Sequence, residues 1–581
     1  MNIDKELIRL LSRLELFEGI KKEDLFPFVD AFIVKTVAAG DVVFHAGDES
    51  SSMCIVQQGR LGIYSQLPLS AANQLATVSV GESVGEMGMI RKDKRSAEVV
   101  ALRQSKLLFI DEALFERLCH AYPSILLKLS QILSDRIENA NKSKKSRKHQ
   151  AQTFSLCVLN IEEKEKNDFL QAMLLAFDQL SMSVKVVTDR VELAYLSQLE
   201  QRYQCIIFCS DENQLDFFAE NINYSDEILL LNNSESLAIT APTQSILSKH
   251  SARLPIKHFI IHHDNILVEK NYNFQDIACD IYHIRSAKDA DLRRFVRLVT
   301  NQAIGVVLAG GGAKGFGHIG AMKALAEMNV EYDVIAGTSM GAIVAGVMAQ
   351  EQSIDEIITL FEAFFLGKNP IGDWTLPSLS LAKGQRLDNS LKEGFGQRKI
   401  EHLWCTFFCI ASGLNSAKTN VLDKGLLWKA IRASISLPGI LPPIEIDGEL
   451  MVDGGMLNNL PVDIMKMRGI KKVIAIDLQE SDYWGAEFTQ LNLQPTFLQR
   501  IRNLFMRRES PTLLNILMRS AILGGSSFAM QRLSEADYPI KLPLDHYGLL
   551  EWKSLHDIID IGYQHVKEQL GEEYFKDVIV K

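Results

Sequence analysis

The chain has 581 residues, which is too long for a single hydrophobic core and predicts about three domains. Its hydrophobic content of 47% and charged content of 23% are typical of a globular protein, and no uninterrupted apolar run predicts a transmembrane helix. The net charge of −10 argues against general nucleic-acid binding. The eight cysteines lack C-x-x-C spacing, and the N-terminus lacks a signal-peptide core, so we expect reduced thiols and a cytoplasmic location.

The N-terminal part of the chain predicts an antiparallel β barrel or jelly roll. A helical pattern over residues 1–30 precedes short strands, separated by turn residues, over residues 32–110. Helical patterns return at Glu112–Ala121 and over residues 124–139. Short strands of even spacing between turn residues are typical of such barrels.

One segment of this barrel is suited to binding a phosphate. It reads Val-Gly-Glu-Met-Gly-Met-Ile-Arg-Lys-Asp-Lys-Arg-Ser-Ala from Val84 to Ala97 and resembles the phosphate-binding cassette of cyclic nucleotide-binding domains. The resemblance implies that the Arg95 guanidinium binds the cyclic phosphate and that Glu86 accepts a hydrogen bond from the ribose 2′-hydroxyl. The implied nucleotide site comprises Gly85, Glu86, Met87, Arg95, Ser96 and Ala97.

The cassette departs from the family pattern in its basic loop. Lys94 stands where the family often has proline, and residues 91–94 carry three cations. Cyclic AMP, cyclic GMP and another nucleotide therefore stay open as the regulatory ligand. A barrel that serves only as an interaction module is the alternative.

The middle of the chain predicts a linker and then a small α/β domain. Residues 141–150 form a basic run, interpreted as a solvated linker, with contact to anionic lipid headgroups as the alternative. Residues 151–300 alternate strand and helix patterns and are expected to have a structural or coupling role. His262 and His263 predict no metal site, because adjacent residues of a strand point to opposite faces.

Two glycine motifs in the C-terminal half lie one strand–helix unit apart. The first comprises Gly310, Gly311, Gly312, Ala313, Lys314 and Gly315. Consecutive glycines allow backbone N–H groups to converge on an anion, either a phosphate or the oxyanion of acyl transfer. The second comprises Gly337, Thr338, Ser339, Met340 and Gly341 and fits the G-x-S-x-G nucleophile elbow, a tight strand-to-helix turn that exposes the serine hydroxyl.

The first glycine motif also fits a dinucleotide-binding fingerprint. Such a site requires an acidic residue at the end of the second strand. Here Asp333 lies at the start of that strand and Ser339 follows its end. The pair of motifs therefore favours an acyl-transfer site.

These motifs, together with two later segments, resemble the patatin-like phospholipases, most closely the neuropathy target esterase branch. The later segments are Arg-Ala-Ser-Ile-Ser-Leu-Pro-Gly-Ile-Leu-Pro-Pro from Arg432 and Asp453-Gly454-Gly455 with the Met-Leu-Asn-Asn-Leu-Pro that follows it. The resemblance implies a phospholipase or lysophospholipase with a Ser339–Asp453 dyad and no catalytic cofactor or metal. It implies that the N–H groups of the Gly310–Gly315 loop, chiefly those of Gly311, Gly312 and Ala313, hold the oxyanion. Lys314 stands where the family usually has arginine.

Three rival interpretations stay open on residues alone. In the first, Ser339, Asp453 and His546 form an α/β-hydrolase triad, whose chain order they match. In the second, His318 is the base, because it follows the glycine loop. In the third, the protein is a nucleotide-sensing adaptor with a vestigial hydrolase domain.

The expected fold is multidomain. A β jelly-roll cyclic nucleotide-binding-like domain (1–140) and a basic linker (141–150) precede an α/β intermediate domain (151–300). A C-terminal α/β patatin-like domain (301–581, core 304–463) follows. The implied partner is a phospholipid or lysophospholipid, with peripheral membrane contact and no nucleic acid.

Overall fold

The structure is a computed structural model whose two compact units can each be described separately. One unit comprises residues 1–261 and 272–281, and the other comprises 262–271 and 282–581. This division differs from the predicted boundaries at 150 and 300, which stay predictions. The described residues are 8, 11–12, 14–65, 74–141, 151–190, 193–251, 253–263, 279–368, 370, 372–376, 380–478 and 528–579.

The first unit opens with an antiparallel barrel of two four-stranded sheets. The sheet orders are β1-β8-β3-β6 and β2-β7-β4-β5. Alternating apolar side chains fill the space between the sheets, which confirms the predicted jelly roll. The strands are β1 (Ile33–Val37), β2 (Val42–Phe44), β3 (Ser52–Gln58), β4 (Leu61–Tyr64), β5 (Gln74–Val78), β6 (Ser83–Val84), β7 (Glu98–Ala101) and β8 (Ser105–Asp111).

Helical segments precede and follow the strands of this barrel along the chain. The predicted N-terminal helical stretch contains short 3-10 turns (Glu15–Phe17 and Phe26–Ala31) around one helical turn. The Asp111 side chain accepts a hydrogen bond from the Leu114 N–H, which caps the third helix. The helices are α1 (Lys22–Leu25), α2 (Glu86–Arg91), α3 (Glu112–Ala121) and α4 (Ser124–Asn141). The basic run that follows, from residue 142, lies outside the described residues.

A parallel sheet follows in the same unit, as predicted for the intermediate region. Its order runs β10-β11-β9-β12-β13, and every described pair in it is parallel. Ion pairs join it to the barrel, with 2.7 Å between Arg60 and Asp226 and 2.7 Å between Arg103 and Glu200. The elements are β9 (Gln152–Leu159), α5 (Glu163–Gln179), β10 (Val184–Val187), α6 (Leu193–Arg202), β11 (Cys205–Asp211), α7 (Leu215–Asn221), β12 (Glu227–Asn233), α8 (Ala241–His250) and β13 (Ile256–His262).

The second unit is built on a larger mixed sheet, ordered β19-β20-β17-β16-β15-β21-β22, with β18 also paired to β17. Strands β15, β16, β17, β21 and β22 are parallel, and β18 and β20 run antiparallel to β17. β14 (Asp280–Arg285) begins in the first unit and ends in the second. The other strands are β15 (Ile304–Leu308), β16 (Val334–Thr338), β17 (Thr406–Gly413), β18 (Thr419–Leu422), β19 (Ile444–Ile446), β20 (Glu449–Asp453), β21 (Lys472–Asp477) and β22 (Tyr538–Lys541).

Helices of the second unit bury the faces of this sheet in one large apolar core. The fully buried runs of β15 and β16 are typical of parallel strands covered on both sides. The helices are α9 (Asp289–Val299), α10 (Phe316–Glu327), α11 (Met340–Met348), α12 (Ile354–Phe361), α13 (Gln385–Phe395), α14 (Leu427–Ser434), α15 (Val462–Met467), α16 (Ala529–Glu535), α17 (Leu555–Gln564) and α18 (Gly571–Tyr574).

Candidate active site

Ser339 lies in a strained turn between β16 and α11. Its φ of 53° and ψ of −124° are unusual for a residue other than glycine. The turn is possible because Gly337 and Gly341 approach each other, and a Cβ on Gly337 would meet the Gly341 carbonyl carbon at 2.3 Å. This is the strand–turn–helix geometry of a nucleophile elbow.

Asp453 reaches the same point from the end of β20. The Ser339 hydroxyl donates a hydrogen bond to Oδ2 of Asp453 at 2.7 Å, and the Gly455 N–H donates to Oδ1 at 2.7 Å. Asp453 is 2% exposed, and burial raises its carboxyl pKa to about 6 against the opposing effect of these two hydrogen bonds. A buried carboxylate in direct contact with a serine hydroxyl can accept its proton.

The glycine loop passes close to Ser339. A Cβ on Gly310 would lie 2.9 Å from the Ser339 Cβ, so only glycine allows this approach. Residues Gly312–Gly315 form a 3-10 turn that runs into α10, which directs the positive end of the helix towards the loop.

One amide of the loop differs from the expectation. The Ala313 N–H donates to the Leu549 carbonyl at 2.9 Å, so it is not available to an oxyanion. Within the described residues, no hydrogen bond occupies the N–H groups of Gly311 and Gly312. The loop therefore offers two donors from the three that the resemblance implied.

Neither candidate histidine contacts Ser339 or Asp453 through a hydrogen bond of the described residues. His318 is fully buried, and its Nε2–H donates to the Ala309 carbonyl at 2.8 Å. Burial lowers its pKa to about 4. His546 is exposed on the segment after β22. The structure thus places His318 as a support of the glycine loop rather than beside the nucleophile.

Three supporting side chains were missed by reasoning from the sequence. The Ser434 hydroxyl accepts a hydrogen bond from the Ser339 N–H at 3.0 Å, and the Asn459 amide donates to the Gly310 carbonyl at 3.0 Å. Arg432, 2% exposed, donates to Asp388 at 2.6 Å. The sequence offered one signal for these side chains: they are polar residues in segments whose other residues are mostly small or apolar.

Ser339 opens into an apolar cavity of about 640 Å³, including its mouth. No charged side chain is found among the described residues that line it. The lining residues are Gly312, Ser339, Met340, Ile343, Phe364, Phe365, Pro370, Leu387, Ile435, Leu437, Ile440, Leu441, Leu549, Leu550 and Trp552. Leu437, Ile440 and Leu441, from the proline-bounded turn after α14, contribute to this apolar lining.

The structure also brings the cassette residues of the barrel together. The Arg95 guanidinium donates to the carbonyls of Gly85, at 2.9 Å, and Ser52, and it stacks 3.8 Å from the centroid of the Phe44 ring. Gly85 has a φ of 91°, begins α2 and lies next to buried Glu86. The other cassette residues are more accessible: Met87 and Ser96 are exposed, and Ala97 is half-buried.

The described part of the chain shows neither a metal-binding cluster nor a membrane-spanning helix. No group of three or more His, Cys, Asp or Glu side chains there is arranged to hold a metal ion. No helix in the same ranges combines the length and apolarity needed to cross a bilayer.

Comparison with known proteins identifies two domains. Residues 306–466 match the family of patatin-like phospholipases, and residues 34–122 match the cyclic nucleotide-binding domain. Among solved structures, a cyclic nucleotide-binding domain from Methylobacillus flagellatus KT is similar at 19% identity and a TM-score of 0.21, covering 24% of this chain and 80% of that one.

Two relatives extend the similarity over most of the chain. Lysophospholipase NTE1 of Candida albicans is 24% identical over 92% of this chain and 46% of its own length. An uncharacterized NTE family protein of Mycobacterium tuberculosis is 25% identical over 95% of this chain and 94% of its own. The chain therefore spans less than half the length of that fungal relative. The predicted resemblance is confirmed: the chain carries a patatin-like phospholipase domain and an N-terminal cyclic nucleotide-binding domain, and over most of its length it is similar to proteins named for the NTE family.

Proposed function

We propose that this protein is a serine lipid acyl hydrolase that acts through a Ser339–Asp453 dyad. The observation that carries the proposal is the 2.7 Å hydrogen bond from the Ser339 hydroxyl to buried Asp453 at the wall of an apolar cavity. The proposed mechanism requires Asp453 to be ionised, because only the carboxylate can accept a proton. Its pKa of about 6 leaves it ionised at neutral pH and makes it a better base than an ordinary aspartate.

The proposed reaction has two steps. Ser339 Oγ attacks the ester carbonyl while its proton passes to Asp453, and the N–H groups of Gly311 and Gly312 stabilise the oxyanion. The C–O bond of the leaving alcohol then breaks, and that alcohol takes the proton from Asp453. Water, deprotonated by the same carboxylate, hydrolyses the acyl-enzyme to release the fatty acid and regenerate Ser339.

The cavity supports a monoacyl lipid as substrate. The described residues that line it are apolar and offer no cation to a phosphate, so the acyl chain fits there while the headgroup stays outside. Relatives of this chain are named lysophospholipases. A lysophospholipid is therefore the first substrate to test.

Fatty-acid release from lysophosphatidylcholine tests this proposal. The full chain should release fatty acid, and Ser339→Ala and Asp453→Asn should each lower kcat/KM by at least about 10³-fold. Activity retained in Ser339→Ala would refute the assignment of the nucleophile. A wild-type chain inactive on phospholipid and lysophospholipid alike would favour the adaptor interpretation.

We further propose that a cyclic nucleotide binds at Arg95 and regulates hydrolysis. The support is the cluster of Gly85, Glu86 and Arg95 at the start of α2. A phosphate would replace the two carbonyls to which the guanidinium now donates. A bound nucleotide can change the rate of hydrolysis only if it binds a more active and a less active conformation of the enzyme with different affinities.

Calorimetric titration with cyclic AMP and cyclic GMP tests this second proposal. Binding should occur with the wild type and be lost in Arg95→Gln, while Arg91→Gln, on an exposed residue of the same loop, should keep it. The hydrolysis rate with and without nucleotide then measures regulation. No binding of either nucleotide would indicate a barrel with another role.

A further inference from the structure

An exposed apolar hairpin stands beside the cavity wall. Residues 373–375 pair with residues 381–383: Trp374 bridges Ala382, the Thr375 N–H donates to the Leu381 carbonyl, and the Lys383 N–H donates to the Asp373 carbonyl. We call these two segments, with Leu376, the apolar hairpin. Two of its apolar side chains are largely exposed to solvent: Trp374 is 55% exposed and Leu376 is 89% exposed.

The base of the apolar hairpin is bonded directly to the cavity lining. The N–H groups of Leu381 and Ala382 donate to the carbonyls of Gly439 and Ile440, each at 2.9 Å. Ile440 and its neighbour Leu441 line the cavity. Two backbone hydrogen bonds therefore join the apolar hairpin to a segment that lines the cavity opening at Ser339.

A further exposed apolar side chain, that of Leu366, lies on a different element near the cavity. The π-helical turn Glu362–Gly367 contributes Phe364 and Phe365 to the lining, whereas the next residue, Leu366, is 45% exposed. Pro370, which follows that turn, lines the cavity again. Exposed apolar side chains thus lie on two segments near the cavity, one that lines its wall and one that is hydrogen-bonded to a lining segment.

Cations accompany these side chains. Lys383 and Arg386 are exposed, and neither forms a salt bridge within the described ranges. The nearby carboxylate of Asp373 is already engaged by the backbone N–H groups of Gly384 and Arg386. The surface thus combines a tryptophan, two leucines and two cations against one carboxylate, which suits the boundary between the headgroups and acyl chains of an anionic membrane.

We propose that the apolar hairpin and Leu366 dock the enzyme on the surface of an anionic phospholipid membrane, so that a lipid passes from the membrane into the cavity. The exposed apolar side chains alone would also be consistent with a protein partner. A lipid surface accounts in addition for the hydrogen bonds that join the apolar hairpin to the wall of an apolar cavity, and for the two cations. The proposal rests on the proposed acyl hydrolase function for its purpose, but binding can be measured without turnover.

Sedimentation with vesicles tests docking in the full-length Ser339→Ala chain, in which hydrolysis cannot alter the vesicles. The vesicles contain phosphatidylcholine alone or phosphatidylcholine with phosphatidylserine. Leu376→Asp should weaken binding to the anionic vesicles by about tenfold or more, because an apolar side chain can no longer enter the interface. Lys383→Gln and Arg386→Gln should each weaken it by about fivefold at low salt, with little effect on vesicles of phosphatidylcholine alone.

Met467→Ser is the matched control. Met467 is 76% exposed at the end of α15, shortly before β21 begins, so it lies at the edge of the parallel sheet opposite to Ser339. It should leave vesicle binding unchanged. Leu376 makes few contacts, so Leu376→Asp should keep the wild-type unfolding midpoint; Trp374→Ser provides an independent second variant.

Several outcomes would overturn the docking proposal. They are no vesicle binding by the parent chain, equal binding by Leu376→Asp and the parent, or equal weakening by Met467→Ser. Conversion of a dimer to a monomer by Leu376→Asp, seen by light scattering, would instead identify a second copy as the occupant. Vesicle binding that needs Leu376, in a wild-type chain that hydrolyses no lipid, would keep the docking surface and reject the hydrolase.

Discussion

The backbone N–H of Ser339 donates a hydrogen bond to the hydroxyl of Ser434 at 3.0 Å. The two residues lie on different elements, the elbow after β16 and the end of α14. Because Ser339 adopts a strained backbone conformation, a contact that holds its amide also holds the position of its hydroxyl.

Replacing Ser434 by alanine should therefore affect both stability and rate. We expect the free energy of unfolding to fall by about 1–3 kcal/mol, since a buried N–H loses its acceptor. We expect kcat to fall by about tenfold, since the nucleophile is less well positioned. Calorimetric unfolding and fatty-acid release measure the two effects, and a variant unchanged in both would contradict the positioning role.

The pH dependence of hydrolysis should report Asp453. Its folded-state pKa of about 6 lies above the ordinary 3.8, so the carboxylate is lost as the pH falls through about 6. We expect kcat/KM to rise with pH, with a midpoint near 6, and then to reach a plateau. A rate that stays constant from pH 5 to pH 8 would exclude this carboxyl as the base.

The two histidines distinguish a dyad from a triad. His546→Ala should keep the activity within about twofold, because the side chain is exposed and makes no described contact with the dyad. His318→Ala should lower kcat by about tenfold through loosening of the glycine loop, without moving the midpoint near pH 6. A loss of about 10³-fold or more in either variant would restore a histidine base.

Gly320 sets the closest contact between α10 and α17. A Cβ on Gly320 would lie 1.8 Å from the Ile559 carbonyl oxygen, so the helices must separate to admit it. Gly320→Ala should lower the free energy of unfolding by about 1–3 kcal/mol or more. The control is Gly394→Ala in α13, where the added Cβ meets nothing within 4 Å and should raise stability by up to about 1 kcal/mol. Equal effects of the two changes on the calorimetric midpoint would contradict this account.

Glu351 joins three cations in the second unit. It contacts Arg285 at 2.5 Å, Lys288 at 2.5 Å and Arg294 at 2.7 Å, and these cations lower its pKa to about 2 although burial opposes them. Because the folded-state pKa lies below the ordinary 4.5, the stabilisation is present above pH 4.5 and is lost as the pH falls towards 2.

Glu351→Gln should therefore lower the free energy of unfolding by about 3 kcal/mol at pH 7, and by about half as much at pH 3. Glu393→Gln is the control, since its pair with Lys368 is exposed and should contribute little. Calorimetric scans at several pH values make the comparison. A difference between wild type and Glu351→Gln that grows as the pH falls would contradict the assigned ion pairs.

The jelly roll, the intermediate parallel strands and the strand–turn–helix units of the second unit were predictable because each is encoded locally. Strand periodicity and turn residues lie within short windows, and the predicted helix Glu112–Ala121 matches the structure residue for residue. Domain boundaries were harder, because helix α9 belongs to the second unit through contacts that no local pattern encodes. One such contact is the ion pair of Arg297 with Asp333 at 2.7 Å.

By itself the sequence determined the elbow, the glycine loop and the terminal aspartate of β20, because each depends on backbone conformations that only certain residue types allow. Tertiary structure alone decided that Asp453 reaches Ser339 across 114 residues and that His318 faces a carbonyl. It also decided that Leu549 occupies the Ala313 amide and that Ser434 holds the elbow. The physical reason is that hydrogen bonds between distant segments depend on how elements pack, and spacing along the chain carries no record of that packing.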